Sequence, residues 1–64
     1  MLTPRETEIV HLIMLEMTTE DIAKTLGISV STVESHRRHL FKKLGVKSVV
    51  GLVKEAFRLG LTIP

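Results

Sequence analysis

The sequence predicts an all-α fold: a four-helix bundle that contains a helix-turn-helix and has an additional C-terminal helix. Three observations lead to this class. Capping residues and glycines repeatedly bracket amphipathic runs with helical spacing. Patterns typical of strands are almost absent. The 64 residues include no cysteine and only two aromatic residues, so they suffice for one small domain with an aliphatic core and no disulfide. Residues 1–64 are therefore interpreted as a single domain.

The first helix is predicted from Pro4 to about Leu15. Thr3 can cap it, proline at the first helical position is favourable, and Glu6 can reach back to the N–H of Thr3. Its apolar residues follow a 3.6-residue period and should face inward: Ile9, Leu12 and Ile13, with Val10 beside them.

The second helix repeats this pattern. Thr18 is followed three residues later by Asp21, which predicts a second capping box, and Gly27 is suited to the left-handed conformation that ends a helix. Its short apolar face comprises Ile22, Ala23 and Leu26.

Two further helices fill the rest of the chain. Ser31 and Glu34 have the spacing of a third capping box, which predicts the start of a helix that Gly45 ends. Ser48 is the expected cap of a fourth helix over residues 49–59, ended by Gly60. The inward face of this helix is predicted to contain Leu52, Val53, Ala56 and Leu59.

Positive charge is concentrated in the second half of the chain. Residues 1–34 contain six acidic and two basic side chains. Residues 35–64 contain one acidic and seven basic side chains. On a helical wheel, one side of the third helix is apolar and the opposite side is polar and largely cationic, with Ser31, Glu34, Ser35, Arg38 and Lys42 outward. If either half faces a polyanion, it is the basic half.

The spacing of three residues predicts a helix-turn-helix. Two helices that cross steeply through a short turn need a small residue at the crossing, a glycine to reverse the chain and an apolar residue that holds the second helix. Ala23, Gly27 and Val33 occupy these positions. In such a unit the second helix lies in the DNA major groove.

The segments LTPRETEIVHLI, TTEDIAKTLGIS and STVESHRRHLFKKLGV resemble the DNA-binding domain of the LuxR/NarL (GerE-type) family of bacterial transcription regulators, over residues 2 to about 61. The resemblance implies a cytoplasmic C-terminal effector domain whose third helix reads double-stranded DNA and whose fourth helix forms a homodimer. It also implies an N-terminal receiver or sensing domain, most often that of a two-component response regulator. Asp21, the sole aspartate, is expected to cap a helix, so this chain cannot form a phosphorylation pocket.

The candidate DNA-binding residues have different expected roles. Arg38 is suited to a bidentate contact with guanine, and Ser35 to a base or a phosphate. Arg37 should pack its stem and direct its head to the DNA backbone. Glu34 has two open roles: the cap with Ser31, or acceptance of a hydrogen bond from cytosine N4. Phosphate contacts are expected from the remaining polar residues at or near this face: Thr32, Lys42 and Lys43.

The fourth helix has an apolar strip beside its inward face. Val50 and Phe57 lie seven residues apart, with Lys54 between them. Exposed apolar residues at this spacing favour a homodimer contact, although Phe57 could instead close the core.

Other classes of function find little support. The sequence offers no catalytic constellation and no cofactor site, and no apolar run is long enough to span a bilayer. His36 and His39 lack the further ligands that zinc needs. Two alternatives stay open: a domain like region 4 of sigma factors, and a protein-interaction module that contacts RNA polymerase or another regulator.

Overall fold

Four helices connected by short turns form the fold. The computed structural model describes residues 2–61, in which helices α1 (Pro4–Met14), α2 (Thr19–Leu26), α3 (Val30–Leu44) and α4 (Val49–Arg58) follow one another. No strand occurs within this range, and the predicted all-α class is confirmed. Within it, too, no helix has the length and apolar character that a membrane crossing requires.

Side chains cap the helices at the predicted threonines. At α1, Glu6 N–H donates to Thr3 Oγ1 (3.1 Å) and Thr3 N–H donates to Glu6 Oε1 (2.8 Å). At α2, Asp21 N–H donates to Thr18 Oγ1 (3.1 Å), and Asp21 Oδ2 accepts from Thr18 N–H (3.4 Å). Both predicted capping boxes are confirmed, and the only aspartate of the sequence is a capping residue.

The predicted start of α3 is wrong by two residues. Ser29 is the N-cap, and its Oγ accepts the N–H of Thr32 at 3.1 Å, so Ser31 and Glu34 form no capping box. The reason is the tight turn at Gly27, where φ is +67° and the Ile28 N–H donates to the carbonyl of Ala23. The chain is reversed by Ile28, and Ser29 is the first side chain available to cap the next helix.

The core lies where all four helices meet. Its buried apolar residues are Ile9, Val10, Ile13, Met14, Ile22, Ala23, Val33, Leu40, Leu52 and Ala56. Met14 was not among the predicted inward residues. The prediction for Leu59 is wrong: α4 ends at Arg58, and Leu59 follows its last helical turn with 48% of its surface exposed.

The helix-turn-helix is present as predicted. Ala23 of α2 is buried, Gly27 adopts the left-handed conformation, and Val33 of α3 is fully buried. The small side chain of Ala23 lets the two helices approach closely, and Val33 fixes their crossing. The start of α3 is thereby presented on the surface of the domain.

Replacing Glu16 by glycine should stabilise the domain by about 1 kcal/mol. Glu16 has φ of +62° in the turn between α1 and α2, a conformation that strains residues with a β-carbon and does not strain glycine. Glu16→Ala is the matched control, since it removes the carboxylate and keeps the β-carbon. Urea denaturation should show a higher midpoint for the glycine variant alone; equal midpoints for the two variants would contradict this explanation.

Candidate nucleic-acid interface

The polar side of α3 forms a continuous exposed surface, here called the outer face. It comprises Ser31, Thr32, Glu34, Ser35, Arg38, His39 and Lys42, all of which are exposed. On the opposite side, Val33 and Leu40 are fully buried. The burial of α3 thus agrees with the helical wheel.

Two predicted base-reading residues lie together on the outer face. Arg38 Nη2 donates a hydrogen bond to Ser35 Oγ at 3.1 Å, across one turn of the helix. The remaining guanidinium N–H groups of Arg38 can donate to a bound molecule, because arginine has five donors in a planar fork.

Arg37 lies at the boundary between the outer face and the core. The residue is half-buried, and its guanidinium carbon is 5.9 Å from the centroid of the Phe41 ring. This is the range of a cation–π interaction. The arrangement agrees with a packing role for the stem of Arg37, and it leaves the charged head near the surface.

A shallow concave surface connects α2 to α3. It is lined by Thr19, Glu34, Arg37, Arg38 and Phe41. Thr19 begins α2, where unpaired N–H groups and the helix dipole favour an anion. Sequence reasoning missed Thr19 as a candidate site residue, although the capping box at Thr18 already located the start of α2.

Lys43 makes an ion pair that could not be predicted from the sequence. Its Nζ lies 2.8 Å from Glu6 Oε1, the same oxygen that accepts the N–H of Thr3. The side chain of Glu6 is 10% exposed, and that of Lys43 is 38% exposed. The hydrogen bond from Lys43, aided by that from Thr3, lowers the pKa of the Glu6 carboxyl from 4.5 to about 2. The pair therefore joins the end of α3 to the start of α1, and a phosphate contact by Lys43 stays a prediction.

The exposed apolar residues of α4 form a second surface, here called the α4 strip. Val50 is 65% exposed and Phe57 is 52% exposed, with the exposed Lys54 between them along the helix. Phe57 therefore does not close the core. The exposure of Val50 and Phe57 agrees with the sequence analysis, and a homodimer contact through the α4 strip stays a prediction.

Histidines contribute no metal site in the part of the chain that the structure describes. His36 is half-buried and His39 is exposed. Residues 2–61 contain no group of three or more His, Cys, Asp or Glu side chains that could hold a metal ion.

Comparison with known proteins identifies the family. The model of the GerE family, described as bacterial regulatory proteins of the luxR family, matches residues 1–56. The chain belongs to this family. It is 45% identical over 60 residues to the transcriptional regulatory protein MctR of Rhizobium johnstonii, a match that covers 94% of this chain and 28% of MctR. The chain thus spans little more than a quarter of the length of this relative.

Solved structures have the same fold. The transcription factor GerE aligns with a TM-score of 0.90 and 39% identity, over 98% of this chain and 96% of that one. The response regulator ChrA of a heme-sensing two-component system aligns with a TM-score of 0.91 and 31% identity, over 97% of this chain and 31% of ChrA. VqmA of Vibrio cholera, solved with ligand and DNA, aligns with a TM-score of 0.88 and 33% identity, over 100% of this chain and 28% of VqmA.

Proposed function

We propose that this domain binds double-stranded DNA sequence-specifically, as the effector domain of a bacterial transcription regulator. The observation that carries the proposal is the outer face of α3, which is exposed and polar, contains the cations Arg38 and Lys42, and is presented to solvent by a complete helix-turn-helix. A helix of this kind fits the major groove and places the residues near its start against base edges. Membership of the luxR family and the similarity to GerE and VqmA support the same function.

The residues divide by the contacts they offer. Arg38 is positioned for guanine, and Ser35, already its hydrogen-bond partner, for a neighbouring base or phosphate. Contacts to the DNA backbone are assigned to the polar residues around Arg38 and Ser35. Such contacts set the position of the helix on the DNA without reading its sequence. The residues are Thr19, Thr32, Arg37, Lys42 and Lys43. Of the two lysines, Lys42 is the stronger candidate, because Lys43 is already paired with Glu6.

Titration of a labelled duplex at two salt concentrations tests this function. A DNA-binding domain loses affinity as salt rises, with a log–log slope of about −0.9 for each phosphate it neutralises. Circular dichroism in the same buffers verifies that the helices are intact. A folded domain that binds no duplex even at low salt would favour the alternative of a protein-interaction module that contacts RNA polymerase.

The sigma-factor alternative is set aside because the chain belongs to the luxR family.

The regulator as a whole is proposed to be larger than this domain. The chain spans 28% of MctR and 31% of the response regulator ChrA. On this basis we place it beside an N-terminal receiver or sensing domain, most simply in a two-component response regulator. We propose that the regulator acts in the bacterial cytoplasm, where its proposed DNA partner is found.

The α4 strip is proposed as the contact of a homodimer on DNA. Two copies related by a two-fold axis would bring Val50, Lys54 and Phe57 of each copy together, and would present two α3 helices to an inverted repeat. The apolar part of the strip is small, so the isolated domain should be largely monomeric at micromolar concentration and should pair on DNA.

Phe57→Ala should reduce cooperative binding to a duplex with two half-sites by roughly tenfold. Binding to one half-site and the melting temperature should change little, because Phe57 is 52% exposed and its removal leaves no core cavity. Leu15→Ala is the control, since Leu15 is 46% exposed and lies at the end of α1. Gel-shift titrations with one and two half-sites measure the effect. Unchanged cooperativity in the Phe57 variant would exclude the strip as the dimer contact.

A further inference from the structure

Glu34 is the one acidic residue of the outer face of α3, which also contains the cations Arg38 and Lys42. It is exposed on the outer face of α3, and it is the fifth residue of the helix rather than the third. The first turn of α3 contains no acidic residue, and the cap is Ser29. Glu34 is therefore not a capping residue. Within residues 2–61, the Glu34 carboxylate has no hydrogen bond or ion pair.

A carboxylate at this place opposes DNA binding unless the DNA offers it a donor. An ionised carboxylate only accepts hydrogen bonds, and it is repelled by phosphates. In the major groove, cytosine presents its N4 amine as a donor, whereas guanine presents the acceptors N7 and O6, and thymine presents O4 and a methyl group. Adenine has a donor at N6, but the neighbouring N7 acceptor would face the second carboxylate oxygen. Cytosine is thus the base that suits Glu34.

Arg38 lies four residues further along the same face, and it prefers hydrogen-bond acceptors where Glu34 prefers donors. Four residues advance a helix by about 6 Å, less than the length of two base-pair steps at roughly 3.4 Å each. Side chains that extend side by side into the groove from these positions would therefore meet base pairs no more than about two steps apart. Arg38 donates and so suits guanine, while Glu34 accepts and so suits cytosine.

We propose that Glu34 and Arg38 form an acceptor and donor pair that requires a cytosine and a guanine within two base-pair steps in each half-site. Glu34 acts mainly by exclusion, because it rejects guanine and thymine at its position. This inference rests on the proposed DNA-binding function and adds the identity of the bases read.

Glu34→Gln tests the pair. Glutamine has nearly the same shape, has no charge and can bind adenine through N6 and N7. Selection of bound sequences from random duplexes by the unaltered domain first identifies the half-site, and competition with single-base variants then gives the preference at each position. The unaltered domain should prefer cytosine over thymine by roughly tenfold at one position. Glu34→Gln should lose that preference, gain adenine there and bind all duplexes more tightly, with the guanine at the Arg38 position retained.

Glu8→Gln provides the matched control. It makes the same change in net charge on α1, where Glu8 is paired with Arg5 at 3.8 Å, and should leave the base preferences unchanged. If the unaltered domain selects a half-site and Glu34→Gln keeps the same preference at every position, the pair is disproved while DNA binding stands. A half-site without a cytosine and a guanine within two steps would also disprove it. If the unaltered domain binds no duplex, the proposed function itself fails.

Discussion

Replacing Arg38 by alanine should abolish base preference at one guanine of the half-site. A good bidentate contact discriminates between bases by about 1–3 kcal/mol, which corresponds to a roughly 5-fold to 150-fold loss of affinity for the preferred sequence. Arg38 is exposed and bonded only to Ser35 among the described residues, so its removal should leave the stability of the fold nearly unchanged. Competition between duplexes that differ at single positions measures the effect.

Lys42→Ala is the matched comparison for Arg38→Ala. Lys42 is also an exposed cation of the outer face, one turn further along α3. Because a phosphate contact carries no sequence information, Lys42→Ala should weaken binding to all duplexes alike and reduce the salt slope by about one. Identical behaviour of the two variants in base-by-base competition would refute the assignment of their roles.

Glu6→Gln should lower the free energy of unfolding at pH 7 by about 1–2 kcal/mol. The carboxylate accepts from both Thr3 N–H and Lys43 Nζ at 2.8 Å, and hydrogen bonds to charged groups contribute more than neutral ones. Glutamine can still accept from Thr3 but cannot pair with the ammonium of Lys43. The partial exposure of Lys43 keeps the expected loss below that of a fully buried pair.

Lowering the pH should remove from the unaltered domain the same stabilising contribution of the Glu6 carboxylate to the free energy of unfolding. Since folding lowers the pKa of Glu6 from 4.5 to about 2, the ionised group stabilises the fold fully above pH 4.5. Its contribution should be lost as the pH falls from 4.5 towards 2. Urea denaturation at several pH values should therefore show a smaller acid-induced decrease for Glu6→Gln than for the unaltered domain.

Glu8→Gln on the same helix is the control for this measurement. The Glu8 side chain is 57% exposed and lies 3.8 Å from Arg5, and such surface pairs contribute little. The free energy of unfolding of the Glu8→Gln variant should differ from that of the unaltered domain by less than about 0.5 kcal/mol. A Glu6→Gln variant as stable as Glu8→Gln, with unchanged acid sensitivity, would mean that the pair with Lys43 does not stabilise the domain.

The helices could be predicted because the features that define their ends are local. A threonine cap with an acid three residues later, as at Thr3 and Glu6, and a glycine that takes positive φ, as at Gly27, act within one turn of the chain. The spacing of Ala23 and Val33 identified the helix-turn-helix in the same way. The exposed side of α3 followed from its period once the helix was assigned.

Features that depend on tertiary contacts or on competing caps could not be predicted. Two serines near the start of α3 can each act as a cap, and the turn geometry at Gly27 selects Ser29. Lys43 and Glu6 are 37 residues apart, so only the packing of α3 against α1 brings them together. The exposure of Leu59 depends on where α4 ends, and helix ends are the least certain part of a periodic pattern.

Mapping a DNA-bound state by NMR tests the central claim most directly, because it asks which surface of this small domain meets the duplex. Amide shifts of the labelled domain would be followed during titration with a duplex at low salt. Binding through the outer face of α3 predicts that the largest changes fall on residues 31–42 and on the start of α2 near Thr19, with little change at the α4 strip in a single-half-site complex. Changes confined to α4, or none in a folded domain, would contradict the account.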